Sequence, residues 1–252
     1  MAFAEPPAWY VISLRPQGEH GAMRRAAAAH DARVVALSPW RLQLRGDAAA
    51  RDALRAAVAA SRVLFTSPVA VRAAVALMEF RSLPGQDWIA VGSGTARALH
   101  QAGIDSVQTP ARMDSEGLLD LPALQTLDGV PVGLVTAPQG RDVLATELRA
   151  RGANLLRADV YTRVPVTFSP RTMQRLRTLD APAGLALSSG AALQQMLANA
   201  PADVISRLQA MPVVAASQRL MQVARDAGFA EVTVAEGPLP PQILAAMARR
   251  FR

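Results

Sequence analysis

Short apolar runs alternate with amphipathic stretches along almost the whole chain. The runs have the length and the Val, Ile, Leu and Ala content expected of buried parallel strands. The stretches between them follow the helical period, as in residues 68–80, where Val71, Ala74, Val75 and Met78 share one face. This alternation predicts an α/β fold in which helices cover both faces of parallel sheets. The predicted strands are residues 9–14, 33–37, 63–66, 88–91, 106–108, 130–136, 154–160, 184–187, 213–216 and 231–235.

The sequence also repeats itself at a spacing of about 120 residues, which is too long for a solenoid and indicates two copies of one domain architecture. Trp40 and Tyr161 follow matching segments of the two copies. Thr66 and Ser188 stand in matching turns that lead from a strand into a helix. The simplest division of such a chain would be two consecutive domains separated near residue 125.

Two extended, polar, proline-containing segments favour a different division of the chain. Residues 38–45 and 159–167 interrupt the alternation at equivalent points of the two copies, and we interpret them as paired crossover connections. The first lobe then comprises residues 1–37 and 168–252 and is discontinuous, while the second comprises residues 46–158. Each lobe receives five strands. The prediction is two similar lobes with parallel, flavodoxin-like or Rossmann-like sheets, joined by a two-stranded linker.

The turns that follow the strands are the expected place for a functional site. Parallel α/β sheets bind ligands beyond the carboxyl ends of their strands, and we expect the site in the cleft between the two lobes. Hydroxyls, glycine turns and arginines dominate there. The candidate binding residues are Arg15, Thr66, Ser67, Gly92, Thr95, Arg141, Ser188, Ser189 and Ser217. Two other interpretations stay open, because Ser67 is also a natural helix N-cap and Arg15 and Arg141 are also compatible with solvated positions.

The composition limits the chemistry available to such a site. The chain has 252 residues and a formal net charge of +7, and every basic residue is arginine, which excludes Schiff-base chemistry on lysine. There is no cysteine, so thiolate metal sites and disulfides are excluded and a reducing compartment is favoured. The arginines form no run interleaved with aromatic residues, which argues against a nucleic-acid partner. A surface of evenly spread arginines and attraction for a polyanionic ligand both explain the charge.

Motifs of common enzyme classes are absent or incomplete. The turn from Gly92 to Thr95 begins a dinucleotide fingerprint, but Arg97 stands in place of the third glycine, which disfavours a nicotinamide-dependent oxidoreductase. His30 and His100 lie on predicted helices without a partner at metal-ligand spacing, and surface positions are expected for both. Without a strong catalytic base, an enzyme of this sequence would act mainly by binding and positioning.

No part of the sequence predicts association with a membrane. Residues 1–8 lack a basic segment followed by an apolar run, and no stretch of apolar residues is long enough for a transmembrane helix. We therefore expect a cytoplasmic protein. A two-lobed cytosolic binding protein for a small polyanion is the main non-enzymatic alternative.

Taken in order, the turns resemble those of the uroporphyrinogen-III synthase family over nearly the whole chain. The matching segments are residues 12–16, 65–67 with 70–71, 88–92 with 94–96, 114–119, 140–141, 151–153, 161–163, 188–189, 217 with 219–220, and 227–229. The resemblance implies a lyase of tetrapyrrole and haem biosynthesis with two α/β lobes and no cofactor or metal. It implies cyclisation of hydroxymethylbilane, a linear tetrapyrrole with eight carboxylates, to uroporphyrinogen III. Water is lost and the last pyrrole ring is inverted.

The resemblance also implies roles for single residues. Tyr161 matches the tyrosine that assists departure of the hydroxyl, whereas the residues alone would equally allow an aromatic packed in the linker. The turn before Arg141 has fewer glycines than the family pattern, and Val69 stands where some members have a basic residue. A monomer is expected, and a transient contact with the upstream bilane-forming enzyme is left open.

Overall fold

The computed structural model describes residues 7–112, 115–138 and 142–251. The chain divides into two compact units, one formed by Met1–Arg41 with Val164–Arg252 and the other by Leu42–Arg163. The first unit is therefore built from both ends of the chain, and no division occurs near residue 125. None of the described helices is both long and apolar enough to cross a membrane.

The elements alternate between strand and helix as the apolar pattern predicts. The strands are β1 Trp9–Ser13, β2 Ala32–Ala36, β3 Trp40–Leu44, β4 Arg62–Phe65, β5 Asp87–Ala90, β6 Pro131–Thr136, β7 Asn154–Asp159, β8 Tyr161–Pro165, β9 Ala183–Leu187, β10 Val213–Ala215 and β11 Val232–Val234. The α-helices are α1 Gly21–Ala28, α2 Ala48–Val58, α3 Pro68–Val75, α4 Ser93–Gln101, α5 Ser115–Leu119, α6 Asp142–Ala150, α7 Pro170–Arg177, α8 Gly190–Asn199, α9 Ala202–Gln209, α10 Gln218–Asp226 and α11 Pro240–Arg250. A short 3-10 helix covers Pro122–Leu124.

The unit Met1–Arg41 with Val164–Arg252 contains a five-stranded parallel sheet in the order β11-β10-β9-β1-β2. All five residues of β1, an interior strand of this sheet, are buried, as expected where helices cover both faces of a parallel sheet. The core on one face joins Trp9 and Met23 to Ile243 and Met247 of α11, and the ring of Phe251 lies 5.1 Å from that of Trp9. Numbered within the unit, the order is 2-1-3-4-5, the flavodoxin-like arrangement.

The unit Leu42–Arg163 has a four-stranded parallel sheet in the order β5-β4-β6-β7. Its order matches the other sheet when β10, β9, β1 and β2 are aligned with β5, β4, β6 and β7. The two sheets thus share one architecture, although the chain enters them at different strands. The predicted fold class of two similar α/β lobes, the first of them discontinuous, is confirmed.

Two predictions for the unit Leu42–Arg163 need correction. Residues 106–108 form no strand, and an isolated bridge joins Gln108 to Ile89. The pairing does not extend further because Pro110, two residues later, has no backbone N–H to donate. The helix expected to reach residue 80 ends at Val75, whose side chain is 44% exposed and lies off the buried face. The chain turns there so that the ring of Phe80 packs 5.5 Å from those of Phe65 and Trp88.

The two segments that interrupt the alternation pair with each other as predicted. Trp40–Leu44 and Tyr161–Pro165 form a separate two-stranded sheet of β3 and β8. It is flanked by the bond from Arg45 N to the Val160 carbonyl, 3.0 Å, and by that from Val166 N to the Pro39 carbonyl, 3.1 Å. Because the later residue of one strand meets the earlier residue of the other, the two strands run in opposite directions.

Candidate functional site

Each sheet has one point at which the strand order reverses. In the first unit it lies between β1 and β9, and in the second between β4 and β6. Connections from such neighbouring strands leave toward opposite faces of the sheet and open a crevice at the carboxyl edge, where open α/β sheets bind ligands. The candidate residues Arg15 and Ser188 follow β1 and β9, and Thr66 follows β4. The topology therefore places these three predicted residues at the reversal points of their own sheets.

A pair of buried threonines marks the reversal point of the unit Leu42–Arg163. The hydroxyl of Thr66 donates to Oγ1 of Thr136, the last residue of β6, at 2.9 Å. Thr66 is 8% exposed and Thr136 is 1% exposed. Because each hydroxyl has its partner in the neighbouring strand, the pair fixes the carboxyl ends of β4 and β6 relative to each other. Thr136 was not among the sequence candidates, although its polar side chain at the end of an apolar strand is a signal that could have identified it.

Ser67 and Tyr161 lie together beside this pair. The Ser67 hydroxyl caps α3 by accepting from Ala70 N at 3.0 Å, with Pro68 preset for the first helical position. The Tyr161 hydroxyl lies 3.4 Å from Ser67 Oγ, and either group can donate. This contact is longer than an ordinary hydrogen bond between hydroxyls, so it holds the phenol group loosely. The ring itself is 5% exposed and belongs to the core of the unit.

The glycine turn after β5 begins α4. Gly92 is the N-cap residue, and its carbonyl accepts from Thr95 N at 3.0 Å. The Thr95 side chain is 2% exposed, so it contributes to the packing of α4 as well as to the turn. The first amides of a helix lack intrahelical partners and favour anionic groups, which makes this turn a candidate for holding a carboxylate.

Two serine turns of the other unit cap their helices in the way that Ser67 caps α3. Ser189 caps α8 by accepting from Ala192 N at 3.3 Å, and Ser217 caps α10 by accepting from Leu220 N at 3.3 Å. Ser188, immediately before the first cap, is exposed. Capping and binding are compatible here, because one capped amide leaves other amides of the first turn available.

Arg15 lies in the connection between β1 and α1, and its side chain is partly buried. Its Nε is enclosed and has no hydrogen-bond partner within the described residues. Burial lowers the pKa of Arg15 and the nearby Glu19 opposes this effect, but a guanidinium stays charged at any physiological pH. A buried donor without a partner is unfavourable, and such a group in a native structure calls for an explanation, of which a functional role is one.

His20 occupies the end of the same connection and was given no role by the sequence. It is 4% exposed, with Nδ1 3.0 Å from Ser13 Oγ and Nε2 2.8 Å from Ser38 Oγ. Burial, together with the positive charges of Arg24 and Arg15, lowers its pKa to about 4, against a small opposing effect of Glu19. The imidazole is therefore neutral at neutral pH.

Arg157 of β7 organises the turn after β6. Its guanidinium donates to the Ala137 carbonyl at 3.1 Å, to Asp142 Oδ1 at 2.9 Å and to Asp159 Oδ1 at 3.1 Å. Burial by itself would lower the pKa of Arg157, but the bonds to the two carboxylates raise it. The candidate Arg141, like Asp114 of the resemblance, lies outside the described residues.

The arrangement offers binding groups rather than a strong acid or base. Within residues 7–112, 115–138 and 142–251, no three His, Asp or Glu side chains cluster in a way that could hold a metal ion. His100 is exposed and His30 is half-buried, and the ring of His100 contacts the Ile104 carbonyl at 2.8 Å. The described carboxyl edge of each unit carries amides and hydroxyls, and that of the first unit also carries Arg15, which are the kinds of group that bind anions.

Comparison with solved structures identifies the same fold elsewhere. A mutant uroporphyrinogen III synthase from the extremely thermophilic bacterium Thermus thermophilus superposes with a TM-score of 0.63 at 19% identity, covering 96% of this chain and 98% of that one. Uroporphyrinogen-III synthetase from Helicobacter pylori 26695 gives a TM-score of 0.62 at 14% identity, covering 96% and 99%. At these identities the comparison establishes the fold.

Sequence comparison extends the relationship to the family. The chain is 29% identical over 157 residues to uroporphyrinogen-III synthase of Escherichia coli strain K12, covering 60% of this chain and 62% of the relative. It is 28% identical over 160 residues to that of Salmonella typhimurium strain LT2, covering 60% and 65%. The matches therefore span less than two thirds of these relatives. The model of the family described as Uroporphyrinogen-III synthase HemD matches residues 21–245. The chain belongs to the uroporphyrinogen-III synthase HemD family.

Proposed function

We propose that this protein catalyses the cyclisation of hydroxymethylbilane to uroporphyrinogen III, with loss of water and inversion of the last pyrrole ring. It would then be a cyclising hydro-lyase of tetrapyrrole and haem biosynthesis. The observation that carries the proposal is the family match, because residues 21–245 include segments of both units. The chemistry of the site agrees with it, since a ligand with eight carboxylates suits amides, hydroxyls and arginines on a chain of net charge +7.

The proposal extends to individual binding residues in both units. In the unit Leu42–Arg163, Thr66, Ser67, Gly92 and Thr95 would bind through their hydroxyls and turn amides, and Arg141 would pair with a carboxylate in the turn after β6. In the other unit, the residues that would bind substrate are Arg15, Ser188, Ser189 and Ser217. Support comes from the positions of the described members at carboxyl edges and helix N-termini.

The proposed reaction depends more on how the protein positions the substrate than on a strong acid or base. Departure of hydroxide is driven by the electron-rich pyrrole, which becomes a cation, and ring closure releases one proton, so that the second product is water. Free in solution, the reactive cation closes directly to the uninverted isomer. A protein that holds the linear tetrapyrrole folded, with its reactive carbon against the substituted carbon of the last pyrrole ring, favours closure through a spirocyclic intermediate. That route inverts the last ring. A set of fixed amides, hydroxyls and arginines is suited to this task.

Tyr161 is the proposed aid to departure of the hydroxyl. Within the described part of the chain its hydroxyl has one hydrogen-bond partner, Ser67 Oγ at the long distance of 3.4 Å, so this hydroxyl is available to donate to a leaving oxygen. We expect Tyr161→Phe to lower kcat about tenfold or more, because one donor to the developing hydroxide is removed. The measurement is steady-state turnover, with circular dichroism to show that the fold survives.

The chain contains a matched control for this substitution. Tyr10 of β1 is also buried, and its hydroxyl donates to Asp180 at 2.9 Å. Tyr10→Phe therefore removes a phenol from a hydrogen bond away from the carboxyl edge, and turnover should stay within about twofold of the unmodified protein. Unchanged turnover of Tyr161→Phe would remove the proposed role of Tyr161.

The proposed activity is tested by identifying the product isomer. Freshly made hydroxymethylbilane is incubated with the protein, the products are oxidised, and the two uroporphyrin isomers are separated. Isomer III should dominate with the protein and isomer I without it. If isomer I alone forms in both samples, the proposed activity is wrong.

The compartment and partners belong to the same proposal. We place the reaction in the cytoplasm, consistent with a chain that contains no cysteine. The protein would act as a monomer on a small linear tetrapyrrole, with at most a transient contact with the enzyme that makes the bilane. Size-exclusion chromatography with light scattering, with and without that enzyme, measures both assembly states.

A further inference from the structure

The connection between β1 and α1 is held at several points of the first unit. Gln17 N donates to the Trp40 carbonyl at 2.9 Å, and Glu19 N donates to the Pro16 carbonyl at 3.0 Å across the turn at Gly18, whose φ is +84°. At the end of the connection, the His20 ring reaches back to Ser13 and across to Ser38. Arg15 lies between these fixed points.

The His20 ring joins two elements that carry the carboxyl edge of the sheet. Ser13 is the last residue of β1 and is fully buried, and Ser38 follows β2 in the segment that leads to β3. A neutral imidazole has one N–H donor and one acceptor nitrogen, so one serine hydroxyl accepts from the ring and the other donates to it. Both ring nitrogens are thus occupied, and the ring orientation is fixed.

We propose that His20 is a positioning residue that ties the β1–α1 connection to Ser13 and Ser38 and thereby holds Arg15 ready for a substrate carboxylate. The inference rests on the proposed function, because it assumes that Arg15 binds a carboxylate of the tetrapyrrole. Fixing the arginine in advance reduces the conformational entropy lost on binding. A loosened connection should therefore weaken binding more than it slows the chemical step.

A direct catalytic role for His20 fits the geometry less well. Both nitrogens are engaged, the ring is 4% exposed, and neither of their partners is a carboxylate that would stabilise an imidazolium. With a pKa of about 4, it would be a weak general base at neutral pH. His20 therefore acts through Arg15 rather than on the substrate.

A double-mutant cycle between His20 and Arg15 tests the inference on the full-length protein. His20→Leu should raise KM for hydroxymethylbilane about tenfold, the effect expected for lost hydrogen bonds that order a binding group, with kcat within about twofold. In an Arg15→Leu background the same change should raise KM less than about twofold, because the group being positioned is gone. Equal effects in both backgrounds, or an unchanged KM in the single variant, would overturn the proposal.

Three further variants guard against a purely structural effect. His30→Leu changes a half-buried histidine of the same unit and should leave KM unchanged. If His20→Leu does not fold, Ser38→Ala removes one bond while keeping the ring and enters the same cycle. Ser206→Ala on α9, an exposed serine bonded to the Ala202 carbonyl, is its control. An unmodified protein that makes no isomer III refutes the proposed function, whereas an active protein with additive KM effects refutes only the role of His20.

Discussion

Gly133→Ala is expected to destabilise the unit Leu42–Arg163 by about 3 kcal/mol or more. Gly133 lies in the middle of β6 between Val63 and Leu156 of the neighbouring strands. A Cβ atom there would stand 1.9 Å from the Ala57 carbonyl oxygen and 2.6 Å from its carbon, both of them backbone atoms of α2. That carbonyl also accepts from Ala59 and Ala60 at the end of the helix, so α2 would have to move as a whole.

Urea unfolding followed by circular dichroism measures this loss. Gly94→Ala is the matched control in the same unit, because the nearest atom to its new methyl group would be Pro68 Cγ at the ordinary distance of 3.5 Å. That change should be neutral or stabilising by up to about 1 kcal/mol, since alanine favours a helix over glycine. Equal stabilities for the two variants would contradict the close packing of α2 on β6.

The free energy of unfolding should fall by about 2 kcal/mol between neutral pH and about pH 5 because of His20 alone. The folded state holds the pKa of His20 at about 4, through burial and then the charges of Arg24 and Arg15, with Glu19 opposing. An unfolded chain has a histidine pKa of about 6.5. At a pH between these two pKa values, the histidine is protonated in the unfolded chain but not in the folded protein. The contribution of His20 to the free energy of unfolding is therefore fully present above about pH 6.5 and is lost as the pH falls toward 4.

Urea unfolding at about pH 7 and about pH 5 measures the difference, at acidities where carboxylates of ordinary pKa stay mostly ionised. His20→Gln should lose about 2 kcal/mol less over this interval than the unmodified protein does. His100→Gln, which changes an exposed histidine of the other unit, is the matched control substitution. A pH dependence that persists in His20→Gln would exclude His20 as its source.

Much of the fold could be read from local features of the chain. The apolar run that became β1 is buried at all five positions, as a continuous run predicts for a central parallel strand. The N-caps at Ser67, Ser189 and Ser217 form where a serine precedes a helical pattern. The paired strands that begin at Trp40 and Tyr161 were visible as a repeat interrupted at equivalent points. In the first two cases the signal lies within a few residues of sequence, and in the third it lies in the spacing of the repeat.

The features that were missed depend on partners distant in sequence. Val75 has the right period for the buried face of α3, but Phe80 is drawn into the cluster with Phe65 and Trp88, and the helix ends first. Thr136 matters because β6 lies beside β4, which brings its hydroxyl to Thr66. The polar residue at the end of an apolar strand is visible in the sequence, but its pairing with Thr66 is not, because strand order is decided by long-range packing.

The sequence by itself determined an α/β chain of two related units, predicted hydroxyls and arginine at the carboxyl edges, and gave a family resemblance. The first two follow from periodicity, turn chemistry and the spacing of the repeat, and the resemblance rests on the order of the turn segments along the chain. Only the tertiary structure decided that both sheets reverse order beside the candidate turns, and that His20 is a buried, neutral link between Ser13 and Ser38. The protonation state of a histidine depends on its burial and on neighbouring charges, and these exist only once the chain has folded.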